Sequence, residues 1–274
     1  MSRSPKSLRR LVIKIGSNVL SGETGLRKIF FGELARQVRY LQNKNIQTVI
    51  VTSGAVATAM AHFGKKRKPD SIPEKQAYAA FGQPMLMHQY ALSFGRQNLA
   101  IAQILLTQAD LENRKRFLNA KQAIKMLLSK KIIPIINEND TVAVDELKFG
   151  DNDQLSAHVA NLVNADLLLI LSDVAGLYDK DPSRFKDAKI IPVVETIDTR
   201  IEAMIFPSRE GKSTGGMATK IKAAKLCLGY GLPLHITSGF QKDLAVKLLN
   251  QKLKGTLFTV KTNKSIHKNN CIML

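Results

Sequence analysis

Short apolar runs alternate with segments of helical periodicity along most of the chain. In the intervening segments, apolar residues recur at helical spacing, as Phe31, Leu34 and Val38 do. Regular alternation of strands and helices predicts one α/β domain, an αβα sandwich whose central sheet is mainly parallel. The runs of strand length are Leu8–Ile15, Thr48–Val51, Leu99–Leu106, Ile132–Ile136, Leu167–Leu171, Pro233–Thr237 and Gly255–Val260.

No linker or internal repeat divides this pattern. We therefore predict a single domain over residues 1–263 and a polar tail over residues 264–274. Within the domain, Pro84 interrupts a helical segment and predicts a kink or a break into two helices. The loosely alternating stretch Thr141–Phe149 predicts a small hairpin arm over a ligand site.

Polar side chains cluster where three of the predicted elements begin or end. Asn137-Glu138-Asn139-Asp140 follows one apolar run, Ser172-Asp173 follows the next, and Gly150-Asp151-Asn152-Asp153 precedes the helix between them. Open α/β sheets bind ligands beyond the carboxyl ends of their strands. The clusters therefore predict a ligand site at that edge of the sheet.

Composition narrows the class of protein. The 274 residues carry a formal net charge of +19, yet aromatic residues make up only 6% and are not interleaved with the basic ones. This distribution favours a basic solvated surface over a nucleic-acid-binding face. Neither a membrane-length apolar run nor a signal peptide is evident, so we expect a cytoplasmic protein without a membrane partner. Cys227 and Cys271 form neither a disulfide framework nor a metal motif.

Two lysines lie beside glycine turns and favour phosphoryl transfer. Lys14 interrupts an otherwise apolar strand just before Gly16, and Lys220 follows Gly215-Gly216. A further turn at Gly54 joins a strand to a helix, where backbone N–H groups are available to an anion. Phosphoryl transfer requires cations and N–H groups around the phosphates. Walker A and protein-kinase motifs are both absent.

Seven sequence blocks in order resemble the amino acid kinase family, over about residues 8–260. Within that family they resemble the branch that phosphorylates free L-glutamate. The blocks are Lys14-Ile15-Gly16-Ser17-Asn18-Val19-Leu20, Val51-Thr52-Ser53-Gly54-Ala55, Ala80-Phe81-Gly82-Gln83, Ile136-Asn137-Glu138-Asn139-Asp140, Phe149-Gly150-Asp151-Asn152-Asp153, Leu171-Ser172-Asp173-Val174-Ala175-Gly176-Leu177-Tyr178 and Thr214-Gly215-Gly216-Met217-Ala218-Thr219-Lys220.

This resemblance implies ATP-dependent phosphorylation of the glutamate side-chain carboxylate to L-glutamate 5-phosphate, the first step of proline biosynthesis. It places Lys14 and Lys220 on the phosphates, with Asp153 orienting both. The implied glutamate contacts are Ser53, Asp140 and Asn152. As a separate hypothesis, the negative charge of Asp140 suits it to pair with the substrate ammonium. The implied nucleotide contacts are Ser172, Asp173, Thr214, Gly215, Gly216, Met217, Ala218, Thr219 and Lys220, with Gly16 and Gly54 as phosphate-loop glycines.

The same resemblance sets expectations about cofactors and partners. Mg²⁺ would travel on the ATP phosphates without direct protein ligands, proline is a candidate feedback inhibitor, and a homodimer or homotetramer is expected. We expect the chain to lack the C-terminal PUA-type domain of many relatives. Three alternatives stay open: another acceptor (N-acetylglutamate, aspartate, carbamate or UMP), a basic nucleic-acid-binding protein with a kinase-like fold, and a catalytically inactive nucleotide sensor.

Overall fold

The computed structural model describes residues 8–22, 25–65, 67, 69–143, 152–206 and 216–260. The strands in this part of the chain are β1 (Arg10–Ile15), β2 (Ser21–Gly22), β3 (Gly25–Leu26), β4 (Gln47–Val51), β5 (Ile101–Leu106), β6 (Ile133–Glu138), β7 (Leu167–Ser172), β8 (Val193–Val194), β9 (Leu234–Ser238) and β10 (Thr256–Phe258). The helices are α1 (Ser17–Leu20), α2 (Lys28–Asn43), α3 (Ala55–His62), α4 (Ile72–Gly95), α5 (Gln108–Glu112), α6 (Arg114–Ser129), α7 (Asn152–Leu162), α8 (Thr199–Ala203), α9 (Met217–Gly229) and α10 (Leu244–Leu249).

Eight strands form the central sheet in the order β5-β6-β4-β1-β7-β9-β10-β8. The strands from β5 to β9 in that order are all parallel. Strand β10 is antiparallel to β9 and parallel to β8, so the last two strands run in the opposite direction. The predicted mainly parallel sheet is confirmed, and its carboxyl edge collects the ends of six strands.

Each face of the sheet carries its own apolar layer. Alternation along β1 sends Val12 into the layer under α6, α7 and α9, and sends Leu11 and Ile13 into the layer under α2, α4 and α10. The predicted αβα sandwich is therefore confirmed. Lys14 has the same parity as Val12, so its side chain emerges on the α7 face.

Helix α4 is continuous through Pro84, so of the predicted kink or break, the break into two helices does not occur. A proline in a helix leaves the carbonyl four residues earlier without its N–H donor. Here Ala80 and Pro84 are both exposed, and water can reach that carbonyl. Gly82 on the other side of the helix is buried against α3, where an added Cβ would lie 1.9 Å from the carbonyl oxygen of Ala55.

Two local features were not predicted from the sequence. Strands β2 and β3 form a separate two-stranded antiparallel hairpin, and Thr107 begins α5 with a reciprocal capping box to Asp110. Most of the predicted arm Thr141–Phe149 and the predicted tail 264–274 lie outside the described residues. Among the described helices, none has both the length and the apolar character to cross a membrane.

Candidate active site

The first turn of α7 brings two predicted site residues to the carboxyl edge of the sheet. Asn152 and Asp153 are adjacent in sequence, and their exposed fractions are 9% and 0%. Short polar side chains are favoured at a helix N-terminus, where they face unpaired N–H groups and the positive end of the helix dipole. In this fold the two side chains diverge into two separate polar clusters.

The first, which we call the ionic cluster, consists of Lys14, Asp153 and Lys220. Lys14 Nζ lies 2.6 Å from Asp153 Oδ1, and Lys220 Nζ lies 3.2 Å from Asp153 Oδ2. All three side chains are buried, with no more than 5% of any of them exposed. The three residues predicted to act in catalysis are therefore joined through Asp153, and each of its carboxylate oxygens contacts one lysine.

The charge state of Asp153 follows from its neighbours. Burial alone would raise the pKa of its carboxyl, but the ammonium groups of Lys14 and Lys220 and a hydrogen bond from Thr219 lower that pKa to about 2. Asp153 is thus ionised at neutral pH. Within this cluster two buried lysines contact one carboxylate, an arrangement suited to anionic ligands.

Helix α9 delivers Lys220 to this cluster. Gly216 caps the helix, and Thr219 Oγ1 lies 2.9 Å from both Gly216 O and Asp153 Oδ2. The predicted nucleotide contacts Met217, Ala218 and Thr219 accordingly occupy the first turn of α9, beside the ionic cluster. Two further predicted contacts, Thr214 and Gly215, lie outside the described residues.

The second cluster, which we call the amide chain, consists of Gln103, Gln83, Asn137 and Asn152. Gln83 Nε2 donates to Gln103 Oε1 at 2.9 Å, and Asn137 Nδ2 donates to Gln83 Oε1 at 2.8 Å. Asn152 Nδ2 then donates to Asn137 Oδ1 at 2.7 Å and to Ser53 Oγ at 3.0 Å. Ser53 and Asn152, both predicted to contact substrate, are thereby joined.

Asp140, the third predicted substrate contact, lies in the turn after β6. It lines a cavity of about 240 Å³ together with Ala79, Gln83, Gln103 and Glu138. The amide chain runs from this cavity to Ser53. The structure therefore places Asp140 at one end of the chain and the Ser53–Asn152 pair at the other.

Ser172 and Asp173 close the carboxyl end of β7. Ser172 Oγ donates to Asp173 Oδ1 at 3.0 Å, and Asn18 Nδ2 donates to Asp173 Oδ2 at 2.7 Å. Burial would raise the pKa of the Asp173 carboxyl, but these hydrogen bonds and the charge of Lys220 lower it. The predicted nucleotide pair thus lies within the electrostatic reach of the ionic cluster.

The two predicted phosphate-loop glycines differ in conformation. Gly54 has a φ of +102°, which L-residues rarely adopt, and it directly precedes α3. Gly16 has an ordinary φ of −71°, and its N–H donates to Leu171 O at 3.0 Å within the sheet. Only Gly54 is conformationally required at its turn, and Gly16 does not have its own N–H available for a phosphate.

Gln83, Gln103 and Asn137 were given no role from the sequence. Gln83 and Asn137 fall inside the blocks Ala80–Gln83 and Ile136–Asp140, which resemble the family. The resemblance marked their positions but did not indicate that the two side chains are hydrogen-bonded. Gln103 lies in an apolar run and carried none. Asn18 likewise stands in the first block, and its contact to Asp173 appears only in the folded chain.

Comparison with known sequences identifies relatives over most of the chain. Residues 9–238 match the model of the amino acid kinase family. Glutamate 5-kinase of Moorella thermoacetica is 46% identical over 260 residues, covering 94% of this chain and 68% of the relative. Glutamate 5-kinase of Clostridium acetobutylicum is 42% identical over 256 residues, covering 93% of this chain and 96% of the relative.

Solved structures share the fold at low sequence identity. Carbamate kinase from Giardia lamblia bound to AMP-PNP superimposes with a TM-score of 0.66 at 16% identity, covering 93% of this chain and 99% of that one. UMP kinase from Bacillus anthracis gives 0.63 at 16% identity, covering 96% and 100%. At this identity the similarity defines the fold alone.

Proposed function

The chain belongs to the amino acid kinase family, and from that membership we propose that it transfers the γ-phosphate of ATP to the side-chain carboxylate of L-glutamate. The products are ADP and L-glutamate 5-phosphate, and the reaction begins proline biosynthesis. The relatives named above support the choice of acceptor. The observation that carries the chemistry is the ionic cluster, two buried lysines held on one ionised aspartate where the parallel strands end.

The acceptor needs no general base. A glutamate side chain has an ordinary pKa near ~4.3, so at neutral pH it is already a carboxylate able to attack phosphorus. The obstacle is repulsion between this anion and the triphosphate. Lys14 and Lys220 offset that repulsion, and because both are buried their charges act through a less polar medium than water.

Asp153 is a positioning residue in this proposal. Each of its oxygens is already in contact with a lysine, so it fixes where the two cations stand before substrate arrives. A preorganised arrangement avoids reorganisation during the reaction. Ser172, Asp173 and the first turn of α9 lie beside the cluster and are proposed to hold the nucleotide, while Ser53, Asn152 and Asp140 are proposed to hold glutamate.

Mg²⁺ is proposed to arrive with ATP. In the part of the chain that the structure describes, no group of three or more His, Cys, Asp or Glu side chains is placed to hold a metal ion. Asp153 is committed to the two lysines. These residues fit an ion carried by phosphate oxygens and water, the usual arrangement for Mg²⁺ at nucleotide sites. When bound, the ion would neutralise phosphate charge alongside Lys14 and Lys220.

An acceptor panel tests the proposal. The purified protein is incubated with ATP, Mg²⁺ and glutamate, aspartate, N-acetylglutamate, carbamate or UMP in turn. ADP release is measured throughout, and the carboxylate acceptors are also trapped as hydroxamates with hydroxylamine. We expect turnover with glutamate at least ~100-fold above the other acceptors. Turnover with another acceptor and none with glutamate would refute the assignment.

Three properties of the family accompany this proposal. We propose that proline inhibits the reaction, that the chain forms a homodimer or homotetramer, and that it acts in the cytoplasm without a nucleic-acid partner. Proline titration at subsaturating glutamate tests the first, and light scattering after gel filtration tests the second. Steeply salt-dependent RNA or DNA binding without ATP turnover would favour the nucleic-acid alternative instead.

A further inference from the structure

The amide chain has a fixed direction. Two backbone groups set it, because a backbone N–H can only donate and a carbonyl can only accept. The N–H of Glu138 donates to Asn137 Oδ1 at 3.0 Å, and Thr52 O accepts from Asn152 Nδ2 at 2.6 Å. Reversing either asparagine amide would place two donors or two acceptors against each other.

Gln83 completes this direction. With Asn137 Oδ1 occupied by Glu138 N–H and Asn152, the Nδ2 group of Asn137 needs a buried acceptor. Gln83 Oε1 supplies it at 2.8 Å. Gln83 then has only its Nε2 left to offer to Gln103, which accepts at 2.9 Å. Gln83 is itself 9% exposed.

Asn152 has only a hydrogen-bond acceptor available for a ligand. Its Nδ2 has two hydrogens, and these are directed at three acceptors: Thr52 O, Asn137 Oδ1 and Ser53 Oγ. A ligand beside Asn152 therefore meets an acceptor, Oδ1, and no side-chain donor. Of the groups on free glutamate at neutral pH, only the α-ammonium can donate to it.

We propose that Gln83 is a positioning residue which, through Asn137, holds the Asn152 amide so that the site selects an acceptor carrying an α-amino donor. The inference rests on the proposed function, since it concerns how the glutamate site discriminates. Glutarate provides the matching probe, because it keeps both carboxylates and lacks the ammonium. A site built to hydrogen-bond a substrate donor rejects the analogue without it, because its own acceptor is then left buried and unpaired.

Gln83→Met is the central variant. Methionine keeps the length and the helix propensity of glutamine and removes both amide groups. The freed Asn137 Nδ2 must find another acceptor, and the Asn152 amide loses its fixed plane. We expect KM for glutamate to rise about tenfold and the glutamate-over-glutarate ratio of kcat/KM to fall about tenfold, with KM for ATP and kcat within about threefold of wild type.

Two further variants separate positioning from packing. Gln83→Glu keeps an oxygen that accepts from Asn137 Nδ2, and Gln103 can turn its own amide to donate, so this variant should retain most of the discrimination. Gln89→Met makes the same substitution on the same helix, where Gln89 donates to Ser93 Oγ at 2.9 Å, and should match wild type. Should Gln83→Met fail to fold, Gln83→Ala replaces it, because truncation there enlarges a cavity that already exists.

The outcomes divide clearly. An unchanged glutamate-over-glutarate ratio in Gln83→Met, or an equal loss in Gln83→Glu, overturns the positioning role. A parallel rise in KM for ATP and for glutamate overturns it as well, since that is the signature of general disruption. A wild-type protein that phosphorylates no glutamate refutes the proposed function and this inference with it. An active wild type with an unaltered variant ratio refutes the inference alone.

Discussion

The ionic cluster and the amide chain begin at neighbouring residues and are built on different physics. Asp153 draws in two lysines by charge, and the attraction depends on distance much more than on orientation. Asn152 draws in Asn137 and Ser53 by hydrogen bonds, whose donors and acceptors must alternate along the whole chain. We therefore propose that one helix turn serves two functions, with charge acting on the phosphates and directional hydrogen bonding acting on the acceptor.

The difference separates rate from selectivity. Positive charge stabilises any transferring phosphoryl group and does not distinguish one acceptor from another. The amide chain is neutral, so it adds little to the attraction of anions, and we propose instead that its fixed polarity decides which groups a bound ligand can present. We expect changes in the ionic cluster to lower kcat and changes in the amide chain to alter acceptor preference.

The largest effect should come from Asp153→Asn, which removes the carboxylate that both Lys14 and Lys220 contact. We expect kcat to fall by at least ~10³-fold, because the two cations repel each other and lose their fixed positions. The free energy of unfolding should fall by about 3–5 kcal/mol, since two buried lysines lose their contact with a carboxylate. Steady-state kinetics and urea unfolding measure both. Activity within tenfold of wild type would contradict the role given to Asp153.

Lys220→Met should lower kcat by about 10²- to 10³-fold, because it removes one of the two cations proposed to stabilise the transferring phosphoryl group. The loss of stability should be smaller than for Asp153→Asn, because Lys14 still neutralises the carboxylate at 2.6 Å. Lys225→Met is the matched control on the same helix. Lys225 makes an exposed ion pair with Glu202, and exposed pairs contribute at most about 1 kcal/mol. Equal kinetic losses in the two variants would contradict the assignment.

Gly82→Ala tests the packing that supports the amide chain. The added methyl group would meet Ala55 O at 1.9 Å and force α4 away from α3, moving Gln83 with it. We expect a loss of about 2–3 kcal/mol in the free energy of unfolding, typical of an overpacked contact. Gly95→Ala lies at the end of the same helix, with nothing within 4 Å of the added carbon, and should not destabilise. Thermal and urea unfolding of both variants decide the matter.

Acid titration distinguishes the two clusters through their effect on folding stability at low pH, which is the smallest of the expected effects. The pKa of Asp153 is lowered from its ordinary 3.8 to about 2, so its contribution to stability is complete above pH ~4 and is lost as the pH falls towards 2. A shift of this size corresponds to about 2 kcal/mol. We expect wild type and Gln83→Met to lose this contribution between pH 4 and 2, whereas Asp153→Asn should lack that part of the acid dependence. Parallel acid curves for wild type and Asp153→Asn would contradict the assignment.

The sequence predicted the ionic cluster better than the amide chain for a physical reason. A lysine within an apolar strand is costly to bury, so Lys14 marks a site even before its partner is known. Strand periodicity also fixes the face of the sheet on which it emerges. A glutamine in a helix or at a sheet edge has no comparable cost, so Gln83 and Gln103 resemble ordinary polar residues until the fold brings them together.

The fold class was predicted from the alternation of strands and helices, whereas the arrangement of β10 and β8 at one side of the sheet was not. Six parallel strands are the expected result of strand–helix alternation. Strand β8 has two residues, too few to form a pattern. Strand β10 lies within the predicted run Gly255–Val260, but its antiparallel pairing with β9 was not predicted. The continuity of α4 through Pro84 likewise depended on which side of the helix faces water.

Lys14 also has a consequence for folding. It lies in register between Val51 of β4 and Ile170 of β7. A slip of β1 by one residue would turn its ammonium into the opposite layer, among Phe31, Leu34 and Tyr90, away from Asp153. Burying an unpaired cation there is far more costly than misplacing an apolar side chain. The lysine proposed for phosphoryl transfer therefore also specifies the register of β1, because it destabilises a shifted sheet before any nucleotide is bound.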